Sequence, residues 1–172
     1  MVTLREALAS HGITVMTFNY AYTEAGRKAP DRAPKLLDVH VAAADRLATY
    51  CDRVVLAGKS MGGRVGSHLV GDNEWPAHAV VYYGYPLVPL GKGSPRDTTH
   101  LNRISARQLF FAGTRDRLSP PDMVVPLAKS LPGASVEVIE GGDHSFKVPK
   151  ASGKAHEEVI HELAALTSRW LQ

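Results

Sequence analysis

The stretch from Arg53 to Gly66, Arg-Val-Val-Leu-Ala-Gly-Lys-Ser-Met-Gly-Gly-Arg-Val-Gly, constrains the fold of this chain more than any other. Val54 to Ala57 is an unbroken apolar run, the pattern of a strand buried on both faces of a parallel sheet. Gly58-Lys59-Ser60-Met61-Gly62 follows at once, an instance of G-x-S-x-G, whose small flanking residues let a chain turn sharply from strand into helix. A β-carbon at Gly58 or Gly62 is expected to collide with the neighbouring element, where glycine tolerates close approach. Ser60 then sits at the tip of the turn, with the N–H groups and dipole of a helix N-terminus behind it to favour a developing oxyanion. The blander reading is a glycine-rich turn with an incidental serine, so the rest of the chain must decide.

From its first residues the chain alternates helix and strand. Thr3-Leu4-Arg5-Glu6 has the form of a capping box and opens a helix that should end at Gly12. Ile13 to Tyr20, β-branched and aromatic, reads as a strand, and the proline-bearing segment from Ala21 to Pro34 as a loop. Leu37, Val41, Ala44 and Ala48 fall on one helical face. After the Ser60 turn, Val65 and Leu69 mark a short helix ending near Gly71, and Ala79 to Tyr83 is another strand. Gly84 to Ala106 is a long polar loop with too few apolar residues for a cap domain. Leu109 to Ala112 is a strand, Ser119 caps a helix running to about Leu131, Ser135 to Ile139 is the last strand, and Val159, Leu163, Leu166 and Trp170 stripe a closing helix. No repeat or linker divides residues 1–172, so a single domain is expected: a three-layer αβα sandwich with a mostly parallel sheet.

Composition narrows the function classes. Apolar residues at 44% and charged residues at 22% describe an ordinary globular chain. Twenty Lys and Arg against 17 Asp and Glu leave +3, scattered rather than clustered, so nucleic acid is not an expected partner. No stretch approaches the roughly 20 apolar residues of a membrane span, and Met1 to Ser10 lacks the plan of a signal peptide, so a cytoplasmic protein without membrane association is expected. A lone cysteine, Cys51, permits neither an internal disulfide nor a cysteine metal cluster and reads as a packing residue. His156 and His161 are five apart, poor spacing for two ligands on one face, so neither metal nor cofactor is expected. His40, His68 and His161 read as surface or helix-face residues.

Ligand sites of a parallel sheet lie beyond the carboxyl ends of its strands, and two more chemistry-bearing residues fall there. Asp116, in Gly113-Thr114-Arg115-Asp116, follows the strand Leu109 to Ala112; His144, in Gly142-Asp143-His144-Ser145-Phe146, follows Ser135 to Ile139. The order Ser60, Asp116, His144 is that of an α/β-hydrolase triad. On these residues the chain resembles the α/β-hydrolase superfamily, and within it the small dienelactone-hydrolase-like and esterase-like members that lack a lid domain. The resemblance implies a Ser60 nucleophile, a His144 base and an Asp116 orienting acid. Dienelactone hydrolases themselves use cysteine, so Ser60 favours a carboxylesterase-type serine hydrolase acting on a small-molecule ester. Thioesters and lactones stay open as substrates, as does a non-catalytic scaffold that binds a partner.

Each role has a chemical reason: a serine hydroxyl attacks only when an imidazole takes its proton, and the imidazole needs a carboxylate to fix its tautomer. Asp143 adjoins His144 too closely in sequence to reach behind its ring and is expected to shape the turn, and Lys59 to be a solvated charge. Asn19, Tyr20, Tyr82, Tyr83 and Tyr85, with Met61, are expected to line the substrate site, since they lie at or near strand ends on one rim.

The family pattern begins with further strands and a loop that donates one oxyanion N–H, and nothing equivalent precedes Thr3. Two ways of filling the gap follow: another chain supplies a strand, making a homodimer through the exposed sheet edge, or Ile13 to Tyr20 moves across to pair with Val54 to Ala57. The second needs no partner and is the expectation here. It would bring a backbone N–H of Tyr20 or Ala21, or the Asn19 amide, into the oxyanion hole beside the Met61 N–H.

Overall fold

The computed structural model describes residues 2–89, 91 and 94–172. Four parallel strands, β1 (Val55–Lys59), β2 (Ala79–Tyr83), β3 (Arg107–Gly113) and β4 (Ala134–Ile139), lie side by side in the order of the sequence. Val55 aligns with Ala79, Val81 with Leu109, and Phe110 with Val136. Among the described residues there are six helices: α1 (Val2–Ser10), the single turn α2 (Ala21–Glu24), α3 (Ala33–Ala48), α4 (Met61–Gly71), α5 (Pro121–Ser130) and α6 (His156–Leu171).

The period of two along each strand sorts the core into two halves. Leu56, Val80, Tyr82, Phe110 and Ala112 point to one face and pack with Ala44 of α3, Leu69 of α4 and Val124 of α5. Val81, Tyr83, Leu109 and Phe111 point to the other and pack with Leu4 and Leu8 of α1 and Val159 and Leu163 of α6. This is the expected three-layer sandwich. In the described part of the long loop after β2, the 3₁₀ turn Thr99–Arg103 packs inward and buries Leu101 and the following Ile104 in the first of these clusters.

The expected strand Ile13 to Tyr20 is absent. Residues 13–20 run without any ladder, α2 interrupts the loop that follows, and Met16 and Phe18 are exposed at 37% and 39%. An apolar gap of about 150 Å³, bordered by Ile13, Val15 and Thr17 on one side and Val55 and Ala57 on the other, keeps the segment from β1. The reason is packing: Ile13 and Val15 lean on the α1–α6 half of the core, and Phe18 and Tyr20 close on His40 of α3, so crossing to β1 would forfeit both anchors. β1 is therefore an edge strand. The His78 N–H donates to the Val54 carbonyl at 2.8 Å, and by alternation Val55, Ala57 and Lys59 turn their backbone groups to the open side. Ala57, expected to be buried on both faces, is exposed for the same reason.

Two helix starts also differ. α1 begins at Val2, which puts Thr3 inside the first turn rather than at its cap. α5 begins at Pro121 with Pro120 before it, and Ser119 gives no side-chain cap.

Candidate active site

The site is assembled where β1, β2, β3 and β4 end. Ser60 stands between β1 and α4 with φ +52° and ψ −121°, a strained conformation for a residue with a side chain. The turn closes because two backbones touch: a β-carbon on Gly58 would lie 2.2 Å from the Gly63 nitrogen, and one on Gly63 would lie 2.7 Å from the Gly58 oxygen. Gly63, not Gly62, is the second glycine that the turn demands, since a β-carbon on Gly62 meets nothing within 4 Å. The Ser60 N–H bonds the Tyr83 carbonyl at 3.1 Å and locks the tip to β2.

His144 reaches this tip from the loop after β4. Its Nε2 is 2.9 Å from Ser60 Oγ, and its Nδ1 is 2.8 Å from Asp116 Oδ2. A carboxylate only accepts, so Nδ1 carries the hydrogen, Nε2 is bare, and the Ser60 hydroxyl donates to it. Asp116 is 2% exposed, and its other oxygen, Oδ1, accepts the N–H groups of Leu118 (2.8 Å) and Ser119 (3.1 Å). That is where Ser119 contributes, rather than as a cap. Gly84, at φ +70°, lets β2 run close beneath the pair; a β-carbon there would come 3.3 Å from both Asp116 Oδ2 and His144 Nδ1.

Asp143 shapes the turn as expected. Its Oδ1 accepts the N–H groups of Ser145 (2.8 Å) and Lys147 (2.9 Å). Burial alone would raise its pKa, but those N–H groups and the nearby Lys147 and Arg115 charges hold the carboxyl below its ordinary value. Lys59 is not simply solvated: its ammonium donates to Ser145 Oγ at 3.3 Å, tying the Ser60 turn to the histidine loop.

A cleft of about 300 Å³ opens in front of Ser60 and Met61, with Phe18, Tyr20, Tyr22 and His40 as its facing wall. Met61 opens α4, so its N–H is among those without an acceptor inside the helix. Of the expected substrate residues, Tyr20 and Met61 lie in this cleft. Tyr82, Tyr83 and Tyr85 are buried; Tyr82 donates to Gln108 Oε1 at 2.9 Å and the Tyr83 hydroxyl meets Thr167 Oγ1 at 2.8 Å. Alternation sends them into the core beneath the rim. The Asn19 amide is spent on Glu24 Oε1 at 2.7 Å.

His40, read from sequence as a surface or helix-face residue, lies on α3 but is 5% exposed, and its Nδ1 is 3.0 Å from the Tyr20 hydroxyl. Burial lowers its pKa to about 4, so it is neutral near pH 7. Burial, and then the neighbouring Tyr22, raise that of the Tyr20 phenol. Phe18, Tyr22 and His40 escaped the sequence reading, though His40 keeps a spacing of four with the buried Leu36 and Ala44.

In chemical terms, the bonded series Ser60–His144–Asp116 can pass the hydroxyl proton to an imidazole whose resulting charge faces a buried carboxylate, with a helix N-terminus beside the reacting oxygen. Among the described residues no group of three His, Cys, Asp or Glu gathers as metal ligands, and no helix is long and apolar enough to cross a membrane.

The model of the alpha/beta hydrolase domain matches residues 1–172. No curated protein matches the sequence. Similar solved structures include an alpha-beta serine hydrolase homologue from Coxiella burnetii (17% identity, TM-score 0.72, covering 96% of this chain and 74% of the other). A serine hydrolase without a lid from Xanthomonas campestris gives 18%, 0.70, 98% and 72%, and an esterase domain from Rhodothermus marinus gives 19%, 0.67, 99% and 80%. At these identities the likeness is one of fold.

Proposed function

Because the chain belongs to the alpha/beta hydrolase family, and because Ser60, His144 and Asp116 form one unbroken hydrogen-bonded series, we propose that it is a serine hydrolase that cleaves short-chain carboxylic esters through an acyl-enzyme. The bonded series is the observation that carries the reading. Ser60 Oγ attacks the ester carbonyl while His144 Nε2 takes its proton, and Asp116 steadies the imidazolium. The tetrahedral oxyanion leans on the Met61 N–H; the pairing expected to bring the Ala21 N–H beside it is absent, and Tyr20, in the facing wall of the cleft, is the candidate for the second donor. His144 then returns the proton to the departing alcohol, and water repeats the sequence on the acyl-enzyme. A cleft of about 300 Å³ suits a short acyl group, and Leu101 and Ile104 of the loop after β2 pack into the core.

Hydrolysis of p-nitrophenyl acetate tests this. Ser60→Ala should lower kcat by about 10⁴-fold or more, since losing a triad member removes the covalent route. A variant that keeps most of the wild-type rate refutes the mechanism. Faster turnover of long-chain than of short-chain esters refutes the substrate class.

A further inference from the structure

Apolar surface left in water by folding gathers at the cleft in front of Ser60. Among the described residues four large apolar side chains are exposed, and two of them, Met16 and Phe18, line this cleft. Both stand on the segment that joins no ladder, and Tyr20, Tyr22, His40 and Met61 complete the lining around them. Phe18 meets the Tyr20 ring at 5.4 Å with the planes at 83°, and the His40 ring at 5.1 Å with the planes at 71°. Tyr20 stacks on Tyr22 at 6.3 Å, and its bond to His40 Nδ1 ties the set together. One side of Phe18 is thus packed on rings, while its remaining surface is open to the cleft.

The wall is neutral near pH 7, since burial lowers the His40 pKa to about 4 and keeps the Tyr20 phenol protonated. Among the described residues no carboxylate lines the cleft, and the Lys59 ammonium that borders it donates to Ser145 Oγ. An uncharged group therefore fits. Which part of an ester it is follows from the proton. The departing alcohol takes its proton from His144 Nε2 and leaves on that side, whereas the acyl group stays on Ser60 Oγ through both halves of the reaction. His144 does not line this cleft, so the cleft faces the acyl group.

We propose, resting on the serine-hydrolase reading of Ser60, that the cleft selects esters whose acyl group ends in an uncharged aromatic ring, of the phenylacetyl kind, with Phe18 as the residue that selects. Space allows it: a cavity of about 150 Å³ already holds benzene, and about 300 Å³ takes the ring with a short linker to the carbonyl. A saturated ring of the same size gains the same burial, but only an aromatic ring adds an edge-to-face partner for Phe18 and a thioether contact with Met16 or Met61.

Acid release from methyl phenylacetate and methyl cyclohexylacetate, each corrected for its rate with hydroxide, tests the selection. Wild type should favour the phenylacetate by about fivefold in kcat/KM, the size of one aromatic pair, although the cyclohexyl ring is the more hydrophobic. Phe18→Leu should abolish the preference, and Phe18→Tyr should retain it. Benzyl and cyclohexylmethyl acetates, which carry the same rings in the alcohol, should be cleaved without preference. Equal rates by wild type, a preference that survives Phe18→Leu, or one confined to the alcohol side overturns the proposal. Binding to Ser60→Ala, which forms no acyl-enzyme, separates the selection from the reaction. By NMR titration this variant should bind phenylacetamide about fivefold more tightly than cyclohexylacetamide. Equal binding overturns the aromatic selection, whereas tighter binding of phenylacetamide by a protein that cleaves no ester upholds the selection and refutes the reaction.

Discussion

Two unlike walls flank Ser60. One is built from the ends of β3 and β4 and holds Asp116 and His144. There Asp116 is buried, each of its oxygens has a partner, and Gly84 lies so close to the pair that a β-carbon would crowd both side chains at 3.3 Å. The other wall is the segment from Met16 to Tyr22, which belongs to no ladder and stands on aromatic contacts: Phe18 edge-on to Tyr20 at 5.4 Å and to His40 at 5.1 Å. The first wall is fixed by side-chain hydrogen bonds between strand ends and close backbone packing, the second by aromatic contacts, the Tyr20–His40 hydrogen bond and the single turn of α2. In the proposed reaction, the chemistry that needs sub-ångström placement would sit on the first and contact with substrate would fall to the second.

The largest effect that would sharpen this contrast is Asp116→Asn. It should lower kcat for a short ester by about 10⁴-fold through the wrong imidazole tautomer. Asp143→Asn, which alters only the turn, should cost far less, and the reverse ranking would move the acid to Asp143.

Next comes the histidine of the soft wall. The pKa of His40 in the folded protein, about 4, lies below its ordinary 6.5, so the unfolded chain takes up the proton first as pH falls. Stability should be at its full value above pH 6.5 and decline toward pH 4, by about 3 kcal/mol at most. NMR titration of the ring checks this; a midpoint near 6.5 would mean that the aromatic wall does not shield it.

Gly84→Ala tests the rigid wall from beneath. The positive φ and the crowding at Asp116 and His144 should destabilise the protein by about 1–3 kcal/mol, measured by denaturant unfolding, and lower kcat more than they raise KM. An unchanged kcat would show that the wall yields.

The smallest effect belongs to Phe18→Ala. With the ring already 39% exposed, it should cost under about 1 kcal/mol of stability and act on KM rather than kcat. A collapse of kcat would mean that the soft wall positions the reacting groups after all.

The same contrast explains what the sequence disclosed. The Ser60 turn, Asp116 and His144 were legible because each is set by short-range patterns: an apolar strand, a glycine pair, a loop at a strand's carboxyl end. The soft wall was not. Ile13 to Tyr20 has the composition of a strand, but a strand exists only with a neighbour, and Ile13, Val15, Phe18 and Tyr20 found better contacts with helices than with β1. Tyr82, Tyr83 and Tyr85 stand near the right strand end, yet residue type does not tell rim from core, and they filled the core. His40 was misjudged because polarity was weighed above its spacing from Leu36 and Ala44.

The central claim is that Ser60 is a nucleophile activated by His144. Incubation with a fluorophosphonate, followed by intact-mass and peptide analysis, examines it directly. The expected result is one adduct per chain, on Ser60, absent from Ser60→Ala and formed far more slowly by His144→Ala. No adduct on the folded wild type, an adduct on another residue, or equal rates with and without His144 would contradict it.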